Sequence, residues 1–167
     1  MAFRVDSDDI VVSSQPHKKI YHIKFKIKGK PLAKASLKTY HNKHSYSPVH
    51  YQPSQPEMTE LKKILKKELL PYIDGDTVFF RKGSHLKIEV SFYFGRAKDH
   101  YRSGFLKESA PRFPTKPDLD NLLKFLFDSM GGIVYHDDAQ IVHITTIKKY
   151  TKDENKEGYT TISATTV

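Results

Sequence analysis

One helix constrains this chain more than any other segment. Residues 118–131 read Asp-Leu-Asp-Asn-Leu-Leu-Lys-Phe-Leu-Phe-Asp-Ser-Met-Gly. On a wheel of about 100° per residue with Asp120 at zero, Lys124 falls near ~40°, Asp128 near ~80° and Asn121 near ~100°. Leu119, Leu122, Leu123, Phe125, Leu126, Phe127 and Met130 fill the remaining arc, interrupted only by Ser129. A helix that is apolar nearly all round has to be buried on several sides. Its one narrow polar stripe must then meet partners or face a cleft. Asp118, after Pro117, stands where a helix cap belongs, and Gly131-Gly132 supplies the stop.

The partners that bury such a helix are legible as period-two segments. In residues 19–28, Ile23, Phe25 and Ile27 alternate with Lys24, Lys26 and Lys28, which predicts a strand with one wet, basic face. In residues 85–94, Leu86, Ile88, Val90, Phe92 and Phe94 point one way. Residues 140–150 and 159–165 predict two further strands, joined through the turn-like residues 152–158 as a hairpin. Pro56-Glu57 opens a second helix, with Met58, Leu61, Ile64, Leu65 and Leu69 on one face, and Pro71 ends it. The lysines on its other face read as a solvated surface or as a DNA contact. The expectation is an α/β (α+β) fold: a small mixed sheet of about four strands with two main helices. Residues 1–18 are polar and aperiodic and read as a flexible N-terminal arm ahead of one domain over residues 19–167.

Two long stretches show no period. Residues 30–56 mix Lys34, Lys38, Lys43, His41, His44, His50 and the tyrosines 40, 46 and 51. They read either as a loop that tracks phosphates and stacks bases or as an ordinary solvated loop. Residues 95–117 are a second long loop, and loops of this length tend to be functional or disordered. The histidines lack a recognisable ligand spacing, and without cysteine neither disulfides nor thiolate metal sites arise.

The chain has 28 Lys and Arg against 19 Asp and Glu, a formal charge of +9. A field of that sign recruits polyanions, whether nucleic acid, acidic lipid or acidic protein. No stretch approaches the ~20 apolar residues of a membrane span. The first residues are acidic and lack an apolar core, so no secretory signal is expected. An intracellular, cytoplasmic location fits.

Against this basic background the acidic residues stand out. Asp118 and Asp120 open the long helix, and Asp137-Asp138 sit in a turn ahead of an apolar strand. They read as a cap, an Asp120–Lys124 pair and two turn residues. The competing reading folds the strand entry back so that one aspartate joins the helix N-terminus. One helix end cannot neutralise three clustered carboxylates, and like charges at that range repel unless a cation offsets them. A hard divalent ion with oxygen ligands answers the demand; Mg²⁺ is the natural choice, with Mn²⁺ as a substitute. Such an ion would polarise a phosphate and activate water, and Lys124 would pair with a phosphate oxygen or steady that water.

Lys116-Pro-Asp-Leu-Asp-Asn-Leu-Leu-Lys, then Asp128, then Asp137-Asp-Ala-Gln-Ile, resembles the RusA family of Holliday-junction resolvases. Gly29-Lys-Pro, Lys98-Asp-His-Tyr-Arg-Ser-Gly, Ala110-Pro111 and Lys148-Lys-Tyr resemble phage-type members, and the likeness runs over about residues 20–165. The resemblance implies a homodimeric, Mg²⁺-dependent crossover junction endodeoxyribonuclease of DNA recombination and repair, making paired cuts in four-way DNA junctions, nucleoid-associated and with a phage or prophage gene as one source. It puts the catalytic carboxylates on Asp118, Asp120 and Asp138 and the catalytic lysine on Lys124. Asn121, Asp128 and Asp137 become secondary polar positions. Lys34, Lys38, Lys43, Lys98, Arg102 and Lys116 are candidate DNA contacts. Phe125 and Phe127 either join the core or help form the dimer. The alternatives are a non-catalytic nucleic-acid-binding protein and a nuclease for other branched DNA.

Overall fold

The computed structural model describes residues 2–15, 20–41, 47–73, 78–152 and 157–167. In chain order its elements are β1 (Val11–Gln15), β2 (Ile20–Lys28), β3 (Lys38–His41), β4 (Pro48–Tyr51), α1 (Gln55–Leu69), β5 (Leu86–Phe94), β6 (Tyr101–Arg102), β7 (Phe105–Leu106), α2 (Leu119–Met130), β8 (Ile141–Tyr150) and β9 (Tyr159–Thr166). Five strands form one mixed sheet in the order β1-β2-β9-β5-β8; β3-β4 and β6-β7 are separate two-stranded hairpins. The expected class, two main helices on a small mixed sheet, is the one observed.

The strongest alternation in the sequence marks the strand β5. Leu86, Ile88, Val90, Phe92 and Phe94 are all buried on one face, where they meet Ile23, Phe25 and Ile27 of β2 in one core. Both helices pack on that core. α1 contributes Met58, Leu61, Leu65 and Leu69, and α2 contributes Leu122, Phe125, Leu126 and Met130. Each such side chain stabilises the fold by about 1.5–3 kcal/mol through area removed from water. Ser129, buried on α2, donates its hydroxyl back to the Phe125 carbonyl at 2.7 Å, so its burial leaves no unpaired group. Among the described residues no helix is long and apolar enough to cross a membrane.

β5 and β8 run parallel, and α2 is the crossover between them. A parallel pair needs such a connection, which sends the helix back antiparallel to both strands. α2 therefore begins at the end where β5 and β8 finish, and ends where β8 starts.

Two expectations are corrected. The last two strands are not a hairpin, because β5 lies between them, parallel to β8 and antiparallel to β9. The connection crosses over the end of β5: the Thr151 amide donates to the Phe94 carbonyl at 2.9 Å. At Gly158, with φ +78°, a Cβ would stand 2.3 Å from the Tyr93 carbonyl oxygen. Only glycine passes that crossing.

Nor do the first residues form a loose arm. Phe3, Val5 and Ile10 are buried in the core, with the Phe3 ring 6.0 Å from that of Phe125. β1 pairs antiparallel with β2 and is the fifth strand, beyond the four expected. The acids of this segment also meet the basic face of β2. Asp9 pairs with Lys26 at 3.2 Å and with Lys28 at 3.0 Å, and Asp6 pairs with Lys28. Isolated apolar residues between aspartates gave no period, yet they are buried in the core while Asp6 and Asp9 pair with Lys26 and Lys28 of β2.

Candidate active site

The start of α2 gathers the first group. Asp118 occupies the N-cap position with an extended backbone, but its carboxylate makes no capping bond; it turns to Lys116 at 3.0 Å instead. Asp120 and Lys124 pair at 3.1 Å, one helical turn apart. All three are solvent-facing, with side chains 55%, 64% and 60% exposed, so the polar stripe lies open to a large ligand. The Lys124 ammonium, hydrogen-bonded to Asp120, holds that carboxyl below its ordinary range; partial desolvation opposes this, and the amide of Asn121 assists it.

The approach to Asp118 is anchored by a residue that the sequence reading left without a role. Lys148 of β8 donates to the carbonyls of Thr115 at 2.8 Å and Pro117 at 2.7 Å. Lys148 stands in register with buried Phe92, on the helix side of the sheet. A lysine in the inward phase of a strand was the available signal.

The second group sits at the other end of α2. Lys34, a candidate DNA contact, donates to Asp128 at 2.6 Å, and its backbone amide donates to the Asn121 carbonyl at 2.8 Å. Asp137 caps the short 3₁₀ turn Asp138–Gln140 by accepting from the Ala139 amide at 2.8 Å. Gln140 is buried and fixes that turn. Its side-chain oxygen accepts from the His136 and Asp137 amides, and its amino group donates to the carbonyls of Arg81 and Ser84. Asp138 is exposed, and its carboxylate has no hydrogen-bond or ion-pair partner among the described residues. Buried Tyr135 bonds the Phe127 carbonyl at 3.0 Å. Burial, then the negative charge of Asp138, Asp128 and Asp137, pushes its hydroxyl far above the usual tyrosine range.

One chain thus does not bring the three expected carboxylates together. Asp118 and Asp120 stand where β8 ends, while Asp138 stands just before β8 starts. The run of β8 from Ile141 to Lys148, which holds Pro117, separates them by roughly 23 Å at about 3.3 Å per residue. The reading in which the strand entry folds back onto the helix N-terminus is corrected. The crossover topology puts the turn at the far end of α2. Among the described residues no group of three Asp, Glu, His or Cys side chains is arranged to hold a metal ion. The donor chemistry suits a hard cation, but the set within one chain is incomplete.

The remaining basic candidates spread over the surface. Lys38 lies exposed on β3, Lys98 on a 3₁₀ turn and Arg102 on β6, while Lys116 is engaged by Asp118. Lys43 lies outside the described residues. Phe125 belongs to the core and Phe127 is half-buried against it. Both long loops contain short hairpins that the absence of periodicity concealed. A cavity of about 720 Å³ lies away from the acids, lined by Arg4, Lys28, Lys63 and Tyr159 among others.

The chain is 32% identical over 76 residues to the uncharacterized protein YqaN of Bacillus subtilis (strain 168), a match covering 43% of this chain and 54% of that protein. The chain thus spans about half the length of that curated relative. The family model described as endodeoxyribonuclease RusA matches residues 28–157, a stretch running from the end of β2 through both acidic groups to the crossing ahead of β9. This chain belongs to the RusA endodeoxyribonuclease family.

Proposed function

We propose that the protein resolves four-way DNA junctions as a two-fold dimer dependent on Mg²⁺, in recombination and repair. Each site would take Asp118, Asp120 and Lys124 from one copy and Asp138 from the other. The observation that carries this reading is the separation of the acids by the length of β8, in a chain of an endonuclease family.

The free edge of the sheet supports it. β8 is an edge strand whose outer side has no partner strand among the described residues, and Val142, Ile144 and Ile147 on it are 57%, 44% and 38% exposed. An unpaired edge of ten residues with three exposed apolar side chains invites a second strand. Antiparallel pairing of β8 with its own copy is an isologous two-fold contact. It would set the Asp138 end of one strand beside the Lys148 end of the other, where Asp118 is held. Two equivalent sites then match the two-fold symmetry of a junction, and a charge of +9 favours DNA.

A bound divalent ion would polarise the scissile phosphate and supply an activated water. The protein's own part is to present Asp118 and Asp120 as ligands and to hold the Lys124 side chain beside a phosphate oxygen.

A mixing experiment tests the shared site. Asp118→Asn and Asp138→Asn proteins, each alone, cut no four-way junction. Mixed as subunits, they regain one intact site per heterodimer and nick one strand. If the mixture stays inactive while mixed wild-type subunits cut, the shared-site reading fails. Wild-type protein that binds junctions without cutting them would instead support a binding role. Equal cutting of flaps and junctions would remove the junction specificity.

A further inference from the structure

The hairpin β6-β7 carries the most exposed large apolar side chain among the described residues. Phe105 is 79% exposed and Leu106 is 51% exposed. Leaving a phenylalanine in water forfeits its burial free energy unless a partner covers it. The hairpin is nevertheless built rather than loose. Its two turn residues, Ser103 at φ 51° and Gly104 at φ 83°, both take the left-handed conformation of a tight two-residue turn. The Lys107 amide closes its base by donating to the His100 carbonyl at 3.0 Å.

That base is fixed to the strand that also fixes the acids. The His100 ring stands edge-on to Tyr150 with centroids 5.3 Å apart, and the Arg96 guanidinium lies 4.3 Å over the same ring. Arg96 also donates to the Pro111 carbonyl at 3.1 Å. Tyr150 ends β8, two residues beyond Lys148, which holds Thr115 and Pro117 ahead of Asp118. The hairpin and the first catalytic candidate are therefore mounted on the same strand end.

The electrostatics select the kind of partner. Residues 95–117 carry six Lys and Arg against two acidic residues. Arg102 is the register partner of Phe105 across the hairpin, so a cation and an apolar ring sit side by side at the tip. A ring offered beside a guanidinium suits an unstacked base next to its phosphate.

We propose that Phe105 stacks on a base opened at the branch point of the DNA, with Arg102 on the adjoining phosphate. The inference rests on the branched-DNA reading above and names the element that engages the branch. The hairpin holds the branch at a fixed offset from Asp118, so it sets which phosphate reaches the acids.

The test uses full-length protein and a four-way junction with 2-aminopurine at the branch or one helical turn away, with a chelator present so that nothing is cut. Wild-type protein raises the fluorescence several-fold at the branch and not at the distant position. Phe105→Ala loses that rise and cuts junctions about ten-fold more slowly once Mg²⁺ is added, the loss expected for one stacked base. Phe105→Trp keeps both. Wild-type signal and wild-type rate from Phe105→Ala overturn the proposal. So does a shift of Phe105→Ala towards monomer in sedimentation, which would make the hairpin a protein contact. Should wild-type protein neither bind nor cut the junction, the resolvase reading itself fails and this inference with it.

Discussion

Lys148 spends its charge on two uncharged carbonyls, which is unusual for a lysine on a half-buried strand face. Charge-assisted bonds to two oxygens two residues apart fix the chain on either side of Lys116 and aim it into α2. Lys148→Met keeps the packing stem and removes the donors. It should leave junction affinity near wild type, lower kcat by about ten-fold and move the Mg²⁺ dependence of cleavage to higher concentration. Lys148→Arg should recover part of the loss. A metal titration of cleavage rates checks this, and an unchanged Mg²⁺ dependence in Lys148→Met would make the residue merely structural. The Asp120–Lys124 pair was readable from helical spacing alone. The Lys148 contacts were not, because their acceptors are backbone atoms 33 and 31 residues earlier in the chain, and no side-chain pattern records them.

At the scale of elements, the N-terminal segment is an integral wall of the core. Phe3→Ala should cost about 3–5 kcal/mol, measured by urea unfolding, where a loose arm would cost nothing. Its ion pairs add a pH signature. Lys28, then Lys26, hold the Asp9 carboxyl below its ordinary range, against partial desolvation, and Asp6 and Asp9 hold the Lys28 ammonium above its ordinary range. The Asp9 contribution is present above the ordinary carboxylate pKa and is lost as pH falls through the lowered value. The Lys28 contribution is present below the ordinary lysine pKa and is lost as pH rises through the raised one. Stability of the docked segment therefore declines at both extremes, and Lys28→Ala should flatten the acid limb of a stability–pH curve below about pH 4. A wild-type acid limb in Lys28→Ala would deny these pairs that role. β5 and both main helices were legible because their apolar periods are long and clean. The arm, the two small hairpins and the true neighbours of β8 and β9 were not. Each depends on partners far along the chain, whereas periodicity reports only which face of an element is dry.

At the scale of the whole molecule, the free edge of β8 carries a prediction of its own. Ile144→Lys adds a charge to an exposed edge position, a device that blocks strand pairing. It should weaken self-association at least about ten-fold and abolish cutting while the melting transition stays cooperative; sedimentation and cleavage measured together decide it. An intact dimer in that variant would move the contact away from β8. The sheet order has another consequence. β9 lies between β2 and β5, and His22 of β2 meets Ser163 of β9 across 141 residues of sequence. Until residues 159–166 are in place, β1-β2 and β5-α2-β8 are two half-sheets with open inner edges and no strand joining them. Assembly must wait for the insertion of one late strand, so folding should be slow for a chain this size. The waiting intermediate, with two sticky edges, is where misassembly and aggregation would begin.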